Sequence, residues 1–61
     1  MKKQIIWIAE VYWRFGDFSD VVWSAAFKDK DDANAAAKSF RRKHDWARKS
    51  THIAVYDLVV N

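Results

Sequence analysis

With 61 residues and a net charge of +3, the chain is long enough for one small domain, residues 1–61, and too short for two. It has no Cys, which excludes a disulfide framework and any thiolate metal site. A chain of this size buries only about 60% of the surface its unfolded form exposes, so stability must come from the core, helped by self-association.

The aromatic share, 16% with four Trp, suits that demand, because each large ring buries on the order of 150–250 Å². One Gly and no Pro predict order nearly end to end. No apolar run approaches the roughly 20 residues needed to span a bilayer. Met1-Lys2-Lys3 followed by an apolar stretch imitates a signal peptide, but Glu10 and Arg14 interrupt it and no small-residue cleavage site follows. The expectation is a cytoplasmic protein with no membrane partner. A pI near 9.5 permits an anionic partner without demanding one.

Ile5 to Phe15 is the stretch around which the chain is organised. Its odd positions, Ile5, Trp7, Ala9, Val11, Trp13 and Phe15, are all apolar, and its even positions begin apolar with Ile6 and Ile8 before turning mixed at Glu10, Tyr12 and Arg14. A period of two in β-branched and aromatic residues predicts a strand, and apolar character on both faces predicts a central one. Gly16-Asp17-Phe18-Ser19-Asp20 reads as a hairpin loop of about four or five residues. A second strand is predicted over Val21–Lys28, with Val21, Trp23, Ala25 and Phe27 as its inward set and Val22 and Ala26 on the other face.

The helix signals come next. Asp29 is the expected N-cap, its carboxylate accepting from unpaired backbone N–H groups. Asp31 and Asp32 in the first turn and Arg41, Arg42, Lys43 and His44 in the last turns complement the helix dipole. Ala33, Ala36, Ala37 and Phe40, with His44 or Ala47 beyond, form the buried stripe, and the helix is expected to end between His44 and Arg48. A last strand runs from Thr51 to about Val60, inward through either Ile53, Val55 and Val59 or Ala54, Tyr56, Leu58 and Val60.

The element order β-β-α-β predicts an α+β domain: a three-stranded antiparallel sheet in the order 2-1-3, with one helix packed on one face. Placing strand three beside strand one, through a right-handed crossover, sets the longest and most apolar strand in the centre. One helix covers one face. The other keeps Ile6, Ile8 and Tyr12, too apolar for a solvent face, and is expected to be covered by a partner protein or by a second copy in a homodimer.

No catalytic constellation is legible. Asp29, Asp31 and Asp32 lack the length, glycine and distal Glu of a calcium loop. His44 and His52 have no metal-ligand spacing, and nothing in the sequence brings Ser24 to either of them. The expectation is therefore a non-enzymatic binding protein with no cofactor and no metal, contacting its partner through Ile6, Ile8, Tyr12, Phe18 and Trp46. The alternative is a small nucleic-acid binder, with Arg41, Arg42, Lys43, Arg48 and Lys49 on phosphates and Trp46 stacking a base.

The pattern Ile6-Trp7-Ile8-Ala9-Glu10-Val11, Val21 to Phe27, Asp31 to Phe40 and Ile53 to Val59 resembles, over most of the chain, the very small bacteriophage proteins that disable host machinery, of the type of the short phage inhibitor of bacterial RNA polymerase. The resemblance implies a phage-type inhibitor acting in the bacterial cytoplasm on a host protein complex, in transcription or in defence such as CRISPR-Cas. It is one of pattern and size, and it transfers no residue role. Arg41-Arg42-Lys43 stands where that type is acidic or neutral.

Overall fold

Alternating β-branched and aromatic residues fold Gln4–Phe15 into one long strand, β1. The protein's structure, a computed structural model, describes residues 3–44 and 50–60. A tight turn at Gly16-Asp17 leads into β2, Phe18–Phe27. The helix α1 spans Lys30–Lys43, and β3 spans Thr51–Val60. Both partner strands run antiparallel to β1, in the order β2-β1-β3. The α+β arrangement expected from the pattern is the arrangement observed.

The hairpin turn is shorter than the sequence implied. Gly16 has φ +58°, no other described residue has positive φ, and Phe15 pairs directly with Phe18. A two-residue loop with Gly first and the second residue at negative φ is the pattern of a type II′ turn, whose twist matches that of the flanking strands. Phe18, Ser19 and Asp20 therefore belong to β2 and not to a loop.

The register also corrects the face assignment of β2. Val11 pairs with Trp23 but Tyr12 pairs with Val21, so Val22 is an extra residue, a β-bulge. A bulge sets two consecutive residues against one and shifts the alternation by one position. Val22 joins Trp23 against the core, while Val21 is 48% exposed and shares the face of Tyr12. The simple alternation had these two valines exchanged.

The core lies between β1 and α1. Ala9, Val11, Ala33 and Ala37 are fully buried, and Trp7, Val22, Trp23, Phe27, Phe40, Ile53 and Val55 pack around them. Alanine on the helix lets its backbone approach the sheet, and the strand aromatics fill the flanks. Trp23 stacks on Phe40 at 5.4 Å and 19°, and Lys30 Nζ sits 5.5 Å from the centre of the Trp7 ring. At the helix start Asp29 is extended (φ −115°, ψ 139°) and its side chain makes no capping bond. Its backbone carbonyl instead accepts from the Ala33 N–H at 3.2 Å. The helix gives way at His44, which is extended and keeps its ring 4.5 Å from that of Phe40. Ala47 lies outside the described residues.

The register settles β3. Ile53 and Val55, paired with Val11 and Ala9, face the helix; Ala54, Tyr56, Leu58 and Val60 face away.

Candidate functional site

Because side chains alternate, the face that α1 leaves uncovered follows from the register. Across it run the pairs Gln4–Val60, Ile6–Leu58, Ile8–Tyr56, Glu10–Ala54 and Tyr12–His52, with Ala26 and Ser24 beside Ile8 and Glu10 on β2. Its half nearer the chain start is apolar: Ile6, Ile8, Ala26, Tyr56, Leu58 and Val60. Tyr56, Leu58 and Val60 are each more than two-fifths exposed. Its half nearer the hairpin is more polar, with Glu10, Ser24, His52 and Arg14 alongside Tyr12 and Val21.

One hydrogen bond joins the two halves. The Tyr56 hydroxyl donates to Glu10 Oε2 at 2.9 Å, a diagonal cross-strand contact of the kind long side chains reach. The carboxylate holds the phenol proton, so Tyr56 titrates above its ordinary 10.0, mainly through this bond, with desolvation and the Glu10 charge adding in the same direction. Tyr12 and His52 face each other with ring centres 5.6 Å apart. A hollow of about 460 Å³ opens at the hairpin end, bounded by Glu10, Tyr12, Arg14, Phe18 and Val21. Charges of both signs line it, so it does not select an ion of one sign.

The hairpin tip is a second surface. Helix α1, at about 1.5 Å per residue, is roughly 21 Å long, whereas β1 at about 3.4 Å per residue reaches roughly 40 Å. The sheet therefore outruns the helix. Phe15 and Phe18, the closing pair of the hairpin, are 62% and 79% exposed. The Trp13 ring stacks on Phe15 at 5.8 Å and 20°. At the opposite end the pair Ile5–Val59 also projects, 53% and 52% exposed.

Of the residues singled out in the sequence, Ile6, Ile8 and Tyr12 share the uncovered sheet face, and Phe18 stands at the tip, away from the apolar half of that face. Arg42 and Lys43 are exposed at the helix end, while Arg41 is half-buried and engaged. Trp46, Arg48 and Lys49 lie outside the described residues. Phe15 was missed as a contact residue. It sits beside a Gly-Asp dipeptide, which is a hairpin signal of its own, and that signal places Phe15 opposite Phe18.

Ser24 and His52 lie on strands either side of β1 and two residues apart along it, roughly 12 Å by strand geometry, and His44 packs on Phe40 at the other face. Among the described residues no group of three or more His, Cys, Asp or Glu is placed to hold a metal ion. No described helix is long and apolar enough to cross a membrane. No protein-family model matches this chain, and no curated protein or solved structure matches it.

Proposed function

We propose that this chain is a small non-enzymatic binding protein that blocks a bacterial host protein complex by occupancy, with the aromatic hairpin tip as its principal contact. The observation that carries the proposal is the exposed pair Phe15 and Phe18, held across a two-residue turn with Trp13 stacked behind. Large rings dominate protein interfaces because each buries much area at the cost of few rotatable bonds. Strand pairing fixes the backbone of both residues and the Trp13 stack restrains the Phe15 ring, so part of the freedom that binding would remove is already lost, which raises affinity. The phage-type assignment, with a target in transcription or in CRISPR-Cas defence, rests on the resemblance in element order and size.

Affinity capture from bacterial lysate with the tagged protein, with and without nuclease, tests the proposal. A single stoichiometric protein is expected, retained after nuclease and lost with the Phe15→Ser, Phe18→Ser double variant while far-ultraviolet circular dichroism is unchanged. Retention by the folded double variant would remove the tip from the interface. Enrichment that disappears with nuclease or moderate salt would move the function to nucleic acid and to Arg41, Arg42 and Lys43.

A further inference from the structure

The uncovered sheet face is distinct from the tip and raises a separate question. Among the described residues only four apolar ones are fully buried, three of them alanines. The chain has no disulfide, and oligomerisation is one of the ways in which small domains without disulfides or metals gain stability. A compact monomer of this mass exposes about 4,100 Å². This chain exposes 4906 Å², about 800 Å² more over the uncovered face and both ends of the sheet together, an excess of the order of one partner's share of a standard interface. Its radius of gyration is 12.8 Å, against about 10.5 Å for a compact chain of this length.

We infer that the uncovered face is the interface of a homodimer, in which a second copy packs its own uncovered face against it, sheet on sheet. The chemistry fits a like partner. Ile6, Ile8, Ala26, Tyr56, Leu58 and Val60 carry no formal charge, and the charges at the margins of the patch, Lys28 beside Ile6 and Glu10 beside Tyr56, are of opposite sign. Glu10 at the margin already has the Tyr56 hydroxyl as partner. Two such faces stacked about 10 Å apart give a sandwich with a dry centre and a helix on each outer side. The covering is needed whenever the chain is folded, whether or not a target is present, and a second copy is the one partner always at hand. Self-pairing of one patch requires a twofold axis. Ile8 lies on the central strand, flanked by Ala26 and Tyr56, and the axis of the dimer is placed near it. The two hairpin tips stay free.

Sedimentation equilibrium of the full chain, with thermal unfolding over a range of protein concentrations, tests this. The expected mass is twice 7.2 kDa, with a midpoint that rises with concentration. Ile8→Glu and Ile8→Lys are each expected to halve the mass, because like charges meet at the axis, and mixing the two is expected to restore the dimer. Phe18→Ser is expected to leave it intact. Wild-type protein that stays monomeric, with a concentration-independent midpoint, would overturn the inference, even if both Ile8 variants failed to fold. A dimer that survives in Ile8→Glu would overturn it as well. Neither result touches the tip, whose role is read from lysate capture alone; a dimer lost only in Phe18→Ser would overturn the assignment of both surfaces.

Discussion

The two valines at the bulge allow the register to be tested by a pair of substitutions that differ in nothing but position. Thr has the shape and β-branching of Val, so Val→Thr keeps strand propensity and exchanges one methyl for a hydroxyl. At Val22 that hydroxyl enters the layer packed against Ala9, Val11 and the helix alanines. Burying a hydroxyl without a partner costs about 1–3 kcal/mol in mutational series. Val22 is half-buried, so the lower end applies and Val22→Thr should cost about 1 kcal/mol. For a domain of this size that lowers Tm by about 4–8 °C. Val21 is 48% exposed on the other face, and Val21→Thr should stay within about 0.5 kcal/mol of the parent. Thermal unfolding followed by circular dichroism, with both variants at the same protein concentration, reads the difference directly. Equal shifts, or a larger one for Val21→Thr, would refute the bulge and return β2 to uninterrupted alternation.

Gly16 has φ +58° with nothing within 4 Å of an added Cβ, so Gly16→Ala should cost only the backbone term of about 1–2 kcal/mol, and chemical denaturation showing no loss would argue against the left-handed turn. Phe40→Ala removes the Trp23 stack and the His44 contact; full burial of such a ring is worth about 3–5 kcal/mol, so this half-buried one should cost about 2–3 kcal/mol, with a shift in tryptophan emission as Trp23 becomes wetter. Tyr56 should ionise above its ordinary 10.0. The fold favours the protonated phenol, so this contribution is whole below pH 10.0 and is lost as the pH rises through the folded-state value. In an absorbance titration of tyrosinate, Glu10→Gln should bring Tyr56 back down toward that ordinary value. An unchanged titration would mean that the hydrogen bond does not form in solution.

Most of the architecture was legible because its signals are local or counted in twos. Apolar character on both faces of Ile5–Ala9 points to a central β1, and a central β1 dictates the order of the sheet. The helix was legible from charge order and from the spacing of Ala33, Ala37 and Phe40. What could not be read was register. A bulge is decided by how two strands settle against each other over several residues, and Val21-Val22 offers an apolar side chain to either face. The Asp29 cap could not be read from residue type alone, which permits a side-chain bond that the structure does not make. For β3, Ile53 and Ala54 are both apolar, so alternation alone could not choose its inward face. The uncovered face was legible as a consequence of element count, although its division into an apolar and a polar half required the pairing.

The mismatch in length between helix and strand links the fold to what the chain can bind. A helix of about 21 Å cannot protect a strand of about 40 Å, so residues beyond its ends are exposed whatever their type. A chain built only for stability would place polar residues there, and this one does so in part, with Lys3, Asp17 and Ser19. Yet it also places Phe15 and Phe18 past one end, Ile5 and Val59 past the other, and Leu58 and Val60 on the uncovered face. Leaving such groups wet forgoes roughly 1.5–3 kcal/mol for each large side chain that could have been buried, a large fraction of the stability a small domain has. The helix is too short to recover that loss, and among the described residues no second layer covers the other face of the sheet. Only contacts beyond the single chain could recover it. The uncovered face is broad and uncharged at its centre, as a sheet stacked on a sheet requires, whereas the tip is narrow and aromatic, as insertion into another protein's groove requires. Two surfaces of such different shape on one thin scaffold argue for two different occupants.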